Sequence, residues 1–137
     1  MGEGRPQTKR AAGNLSRGES LPSNPDAERA VLGASLLSPV SLAVAVGLLT
    51  SADFFLPSHR RLFQAMREMH GRGIPVDSLT ALEELSLRGE LEAAGGAAYL
   101  STLLDGVPSI SNVEHYAAIV REKAARRHLI AEAEALV

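Results

Sequence analysis

The sequence contains no cysteine, which excludes a disulfide framework, a thiolate zinc site and a cysteine nucleophile. It also lacks a positive net charge, because 14 Lys and Arg residues face 16 Asp and Glu residues, for a formal charge of -2. Phosphate binding normally needs clustered basic side chains, so this balance does not favour a protein that holds nucleic acid by its net field. The absence of cysteine is compatible with a reducing compartment, and we expect a cytoplasmic protein.

No apolar run reaches the roughly 18 residues that a membrane-spanning helix needs, and residues 1–20 lack the apolar segment of a signal peptide. We therefore expect no membrane partner. The uncharged stretch 40–52 is interpreted as a buried helix with its turn, at the centre of the core.

A phosphate-binding loop is missing as well. Such a loop ends in Gly-Lys-Ser/Thr, and neither of the two lysines, Lys9 and Lys123, follows a glycine. Four histidines are scattered over different predicted helices without metal-ligand spacing: His59, His70, His115 and His128. The sequence therefore predicts no ATPase site, no metal and no cofactor.

Carboxylate pairs occur at residues 83–84 and around residue 91, but they fall on exposed faces or in a turn and are interpreted as solvated surface. His59 follows a predicted helix cap, where donation to a backbone or carboxylate partner is expected. A small helical hydrolase using His59 or Glu83 is a third, weaker hypothesis. No catalytic residue is assigned.

At 137 residues with 45% hydrophobic content, the chain fits one globular domain. Residues 1–20 have almost no large apolar side chain and are predicted to form a disordered basic tail, leaving a domain over 21–137. Apolar periodicity, caps and Gly or Pro stops predict helices over about 25–37, 40–49, 58–71, 78–88 and 96–105, and a long one from a Ser111–Glu114 capping box onward.

Period-two alternation is absent, so the predicted fold class is all-α with five to six helices. We expect a compact head over about 24–94 and a C-terminal antiparallel helical hairpin over about 96–137. Because the second arm is longer than the first, its end should project and expose an apolar edge. Such an edge needs a second copy or another protein to cover it.

The last predicted helix also carries a concentrated basic run, Arg121, Lys123, Arg126 and Arg127. Helical spacing spreads these residues around the cylinder, so a solvated face is the simplest interpretation, and a contact with an acidic partner is the functional one. Together with the basic tail, this helix supports an alternative hypothesis, a small nucleic-acid-binding module.

Several blocks, in order, resemble the N-terminal domain of DnaB-type replicative DNA helicases over about residues 21–137. The blocks are residues 24–33 (NPDAERAVLG), Asp53-Phe54-Phe55 with His59 and Phe63, Pro75-Val76-Asp77 with Thr80, residues 89–92 (GELE) with Gly95-Gly96 and Tyr99-Leu100, and a closing stretch from Val107-Pro108-Ser109 to Leu129-Ile130. Phe55 and Ala81 depart from the family, which often has Tyr and a larger aliphatic residue there.

The resemblance implies a non-catalytic scaffold domain that forms homodimers, builds a hexameric ring as a trimer of dimers, and binds the primase C-terminal domain and a helicase loader. It also implies that ATP hydrolysis and DNA contact belong to a C-terminal domain absent from this sequence. Pairing along the hairpin would bury its apolar edge about a two-fold axis. The candidate contact residues are Tyr99, Leu103, Tyr116, Ile119, Val120 and Ile130.

Overall fold

A computed structural model describes residues 21–136, so the expectation of a disordered tail over 1–20 falls outside the described residues. The elements in order are α1 (Pro25–Leu37), α2 (Pro39–Leu48), a 3-10 turn (Ser51–Asp53), α3 (Pro57–Gly71), α4 (Ser78–Arg88), α5 (Gly96–Asp105), a second 3-10 turn (Ile110–Asn112) and α6 (Val113–Ala135). Six α-helices and no strand within this range confirm the all-α fold class. None of these helices combines the length and the apolarity that crossing a membrane requires.

Helix α1 begins where the sequence predicts it. The Asn24 side chain accepts a hydrogen bond of 3.0 Å from the backbone N–H of Ala27, and Pro25 occupies the first turn, where a missing N–H costs nothing. Nine consecutive or near-consecutive residues of α1 are buried, more than in any other helix of the described range. The centre of the core is therefore α1.

The prediction that α2 forms the centre of the core is wrong. Only three of its residues are buried, Ser41, Leu42 and Ala45. The opposite side of α2 is a stripe of apolar and small residues that is exposed or half-buried, which we call the α2 stripe: Val40, Ala43, Val44, Gly47 and Leu48. The apolar residues on every side of α2 predicted burial on several sides, but the structure buries only one side of this helix.

Helices α3 and α4 pack their amphipathic faces against the core. Helix α3 begins at Pro57 with Leu56 as its N-cap residue. The predicted cap, Ser58, is instead the second residue of the helix. Helix α4 begins with the Asp77 side chain accepting from the backbone N–H of Thr80 at 2.8 Å, and ends at Gly89, whose φ of 70° is a left-handed conformation that glycine adopts readily.

The predicted hairpin of the last two helices is not found in residues 21–136. Helices α5 and α6 each pack most extensively against α1, and α6 also lies along α2, so α5 and α6 share no comparable interface. The predicted Ser111–Glu114 capping box is also wrong, because a 3-10 turn occupies residues 110–112 and the Ser111 hydroxyl bonds to that of Ser109. Helices α5 and α6 are therefore adjacent in sequence but both pack on α1.

The close approach of α1 to α5 requires a glycine. A methyl group at Gly33 would overlap the carbonyl oxygen of Leu103 and lie 2.5 Å from Cγ2 of Val107. Since backbone cannot move aside as a flexible side chain can, Gly33→Ala should push the two helices apart. We expect a loss of about 2 kcal/mol or more in the free energy of unfolding, measured by urea denaturation.

Gly47 provides the matched control, because it is also helical but has no atom within 4 Å of an added methyl group. Gly47→Ala should stabilise the domain by about 0.5–1 kcal/mol through the higher helix propensity of alanine. Equal effects of the two substitutions would contradict the packing described for Gly33.

Candidate functional site

Three buried or half-buried polar side chains from three different helices meet beneath the surface of the domain. Glu28 of α1 and His59 of α3 are 1% and 0% exposed, and Tyr99 of α5 is half-buried. His59 Nδ1 lies 2.7 Å from Glu28 Oε1, and His59 Nε2 lies 2.6 Å from the Tyr99 hydroxyl. We call these residues the Glu28–His59–Tyr99 network, and it connects α1, α3 and α5.

The carboxylate of Glu28 also accepts from the backbone N–H of Phe55 at 2.6 Å and from that of Leu56 at 3.5 Å. In the tautomer with a proton on Nδ1, His59 donates to Oε1 of Glu28. In a neutral imidazole, Nε2 then accepts from the hydroxyl of Tyr99. His59 was expected to have a backbone or carboxylate partner, and the structure shows that partner to be Glu28.

Tyr99 is the member of the network that reaches the surface of the domain. Its hydroxyl contacts the guanidinium of Arg29, which also bonds to the carboxylate of Asp26. Partial burial acts to lower the pKa of Arg29, but the hydrogen bonds to Asp26 and Tyr99 outweigh it and raise that pKa above the ordinary value. The positive charge of Arg29 is therefore secure at any physiological pH.

Beside Tyr99 lies an open groove of about 560 Å³ between α1 and α5, which we call the Tyr99 groove. Its lining combines apolar and charged side chains: Asp26, Arg29, Tyr99, Thr102, Leu103, Gly106 and Pro108. The ring of Tyr99 packs over Gly95, where a methyl group would lie 2.6 Å from Cδ2 of the ring. The glycine pair before α5 thus lets the aromatic side chain form one wall of the groove.

Arg127 ties the last helix to the same region. Its guanidinium donates to the carbonyl oxygens of Pro22 at 2.7 Å and Asp53 at 2.8 Å, and lies 5.2 Å from the ring centroid of Phe55. Burial lowers the pKa of Arg127, and the nearby charge of Glu28 offsets part of that effect. Arg127 is therefore held by its own chain and differs from the exposed Arg121 and Arg126.

The candidate contact residues do not share one accessible surface. Leu103 and Val120 are each 1% exposed and belong to the core, so they offer no surface to a partner in this conformation. The half-buried members are Tyr99, Tyr116, Ile119 and Ile130. On α6, the residues 116, 119, 120 and 130 are buried or half-buried and lie on the side that faces the core. The apolar pattern that suggested an interface therefore marks the side of α6 that packs against its own chain.

The outward side of α6 carries a second apolar line that the sequence interpretation missed. At about 100° per residue, Ala118, Ala125, Leu129 and Leu136 fall within about 40° of one another, and we call them the α6 seam. All four are exposed, Leu129 at 65% and Leu136 at 88%. Their spacing of seven, four and seven residues is the signal that could have revealed them.

Charged residues flank the α6 seam with both signs. Glu114, Glu122 and Glu132 alternate with Arg121 and Arg126, and Arg126 Nη1 lies 3.8 Å from Glu122 Oε2, as the four-residue spacing predicts. Lys123 is half-buried on a different side. Within residues 21–136, no group of three His, Cys, Asp or Glu side chains is arranged to hold a metal ion. The described part of the chain is thus an all-helical domain.

Comparison with known proteins agrees with this class. The profile of the family described as "DnaB-like helicase N terminal domain" matches residues 20–122. Replicative DNA helicase DnaB of Geobacillus stearothermophilus is 44% identical over 115 residues, or 84% of this chain and 25% of that helicase. Its counterpart in Mycobacterium leprae is 42% identical over 113 residues, or 82% of this chain and 19% of that helicase.

A solved structure, that of the N-terminal domain of DnaB helicase from Mycobacterium tuberculosis, is similar with a TM-score of 0.78 and 42% identity, covering 80% of each chain. The chain therefore belongs to the family of DnaB-like helicase N-terminal domains. It spans between 12% and 26% of the length of the curated helicases compared, and the matched residues correspond to their N-terminal domain rather than to their ATPase domain.

The Glu28–His59–Tyr99 network can be tested by removing one hydroxyl group. Tyr99→Phe keeps the aromatic ring but removes the hydroxyl group that is hydrogen-bonded to Nε2 of the buried His59. Because an unsatisfied buried polar atom costs about 1–3 kcal/mol, we expect the free energy of unfolding to fall by that amount in urea denaturation.

Tyr116→Phe removes the same group from a half-buried tyrosine outside the network and should change stability by no more than about 0.5 kcal/mol. If the two variants were equally stable, the hydrogen bond between Tyr99 and His59 would contribute nothing to the fold.

Proposed function

We propose that this domain is the non-catalytic scaffold of a cytoplasmic replicative DNA helicase, that it binds the C-terminal domain of primase at the Tyr99 groove, and that it associates with further copies of itself. Family membership supports the replication context. The observation that carries the primase site is the position of Tyr99, which joins a buried hydrogen-bond network to an open groove.

Three properties of the Tyr99 groove suit a protein partner. Its floor and walls are formed by α1 and α5, which the Glu28–His59–Tyr99 network fixes, so little ordering is needed on binding. A half-buried tyrosine and an arginine are the residue types that dominate protein interfaces. Asp26, whose side chain is 89% exposed, supplies a charge that can orient a basic partner group.

Self-association is supported by apolar surface that the head does not cover. The α2 stripe is exposed or half-buried and contains no charged residue, and the four residues of the α6 seam are exposed. Removing such surface from water contributes roughly 25 cal/mol per Å². In a helicase, dimers of this domain would build a hexameric ring as a trimer of dimers, with ATP hydrolysis, DNA contact and translocation supplied by another domain, and a loader as a further partner.

The alternative function, nucleic-acid binding through the last helix, receives less support. Acidic residues alternate with Arg121 and Arg126 on the outward side of α6, and Arg127 is engaged with backbone carbonyls. A phosphate backbone would therefore meet mixed charge rather than a basic patch.

The groove assignment predicts the effect of one substitution in its wall. Thr102→Arg places a long charged side chain in the Tyr99 groove, and we expect the affinity for the cognate primase C-terminal domain to fall at least tenfold. Isothermal titration calorimetry with the purified domains measures this change.

Ser101→Arg is the matched control, because Ser101 is exposed on the same helix but does not line the groove. It should bind primase within twofold of the unmodified chain. No detectable primase binding by the unmodified chain, or equal losses in both variants, would contradict the proposed site.

A further inference from the structure

We propose that the Asp105–Gly106 peptide is a modification site, at which the aspartate rearranges through a cyclic imide to isoaspartate. The two residues lie where α5 ends, since Asp105 is the last residue of that helix and Gly106 follows it. Both are exposed, and Gly106 lines the Tyr99 groove. The effect on partner binding rests on the proposed function of that groove, whereas the rearrangement itself depends only on the local chemistry.

The reaction needs no reagent other than water. The backbone nitrogen of Gly106 attacks Cγ of the protonated Asp105 carboxyl group, a nitrogen–carbon bond forms, and the carboxyl hydroxyl leaves as water with the amide proton. Water then opens the five-membered imide at one of its two carbonyl carbons. Opening at Cγ restores aspartate, and opening at the original peptide carbon leaves Gly106 joined through the side chain, as isoaspartate. The mass of the chain is unchanged, and no electron is gained or lost.

The first support is the residue that follows each aspartate. The chain has four aspartates, and Asp105 is the one that precedes a glycine, since the others precede Ala27, Phe54 and Ser78. A side chain at the following position crowds the attacking nitrogen, and glycine has none. Glycine also gives the backbone the freedom to turn until this nitrogen and Cγ of the aspartate meet.

The second support is that the carboxyl group of Asp105 is not engaged. The side chains of the other three aspartates are each held by a hydrogen bond, that of Asp26 by Arg29, that of Asp53 by the backbone N–H of Thr50 and that of Asp77 by the backbone N–H of Thr80. Within residues 21–136, the Asp105 side chain has neither a hydrogen bond nor an ion pair. The carboxyl group can therefore rotate toward the following nitrogen without losing a contact.

The third support is the backbone N–H of Gly106. Each of the other five α-helices in the described range is followed by a residue whose N–H donates to a carbonyl oxygen of the last turn. The N–H of Gly106 makes no hydrogen bond of ordinary geometry to the described residues. Because helix ends fray more readily than helix interiors, α5 can open here without breaking a closing hydrogen bond. The attacking nitrogen is thus available.

The rearrangement changes one end of the Tyr99 groove. Isoaspartate adds one carbon atom to the backbone between α5 and the following loop, and it attaches a carboxylate directly to that backbone. Gly106 and Pro108, which line the groove, are displaced as a result. Val107 is displaced with them, although its side chain packs closely on Gly33 of α1. We expect a weaker hold on a protein partner, because the preformed shape of the groove is lost.

Ageing of the purified domain tests the site. The buffer is mildly acidic, because the carboxyl hydroxyl leaves most readily when the group is protonated, and the temperature is physiological. Peptide mass spectrometry with electron-transfer fragmentation locates isoaspartate in the aged chain. We expect isoaspartate to accumulate at position 105 at least ten times faster than at position 77. Equal rates at the two positions would overturn the proposal.

Gly106→Ala is the matched control. Alanine tolerates the φ of -98° at this position, and an added methyl group would lie 3.6 Å from the carbonyl oxygen of Thr102, which is an ordinary contact. The variant should therefore keep the fold, with unchanged helicity by circular dichroism, while its rearrangement at position 105 slows several-fold. An unchanged rate in Gly106→Ala would show that the glycine does not create the site.

Ion-exchange chromatography separates the aged forms without unfolding them, so that their grooves can be compared. In nuclear magnetic resonance spectra, the amide signal of Thr102 should shift in the isoaspartate form, and that of Glu83 on α4 should not. Calorimetry with the cognate primase C-terminal domain should show a several-fold lower affinity. An unshifted Thr102 signal would refute the effect on the groove, whereas a freshly purified chain that does not bind primase would refute the proposed function and leave the modification site intact.

Discussion

The fold depends on one buried interaction, the hydrogen-bonded contact of Glu28 with His59. A carboxylate with 1% exposure is costly to bury unless its charge is satisfied, and here an imidazole and two backbone N–H groups satisfy it. The same contact fixes α3 and its preceding loop on α1, and through Tyr99 it fixes α5 as well. The three helices that form the Tyr99 groove and its support are thus positioned by a few polar atoms inside an otherwise apolar core.

The two proposed contact surfaces follow from this arrangement. Helix α1 lies at the centre, so α5 and α6 both pack on it rather than on each other, and each turns a different side outward. On α5 that side ends in the Tyr99 groove, with charge and an aromatic ring. On α6 it is the α6 seam, whose four apolar residues have Glu122 and Glu132 beside them. We propose the first surface as the contact for a different protein and the second as the contact for a second copy.

Much of this could be predicted from sequence. The bounds of α1 followed from Asn24 and Pro25, and the family resemblance followed from blocks whose residues, Glu28, His59 and Tyr99 among them, meet in the structure. The role of α2 could not be predicted, because its apolar residues do not show which side faces the core. The hairpin was wrong for a similar reason, since sequence neighbours were assumed to pack together. Leu103 and Val120 were candidates for contact because core and interface use the same residue types.

The direct test of the Glu28–His59–Tyr99 network is a double-mutant cycle between Glu28→Gln and Tyr99→Phe, since His59 is hydrogen-bonded to both residues. Urea denaturation of the two single variants and the double variant gives the coupling energy. We expect a coupling energy of about 1 kcal/mol or more, because the second substitution lowers the free energy of unfolding by less once the first has broken the network. Effects that add to within about 0.3 kcal/mol would contradict a connected network and leave three independent polar side chains in its place.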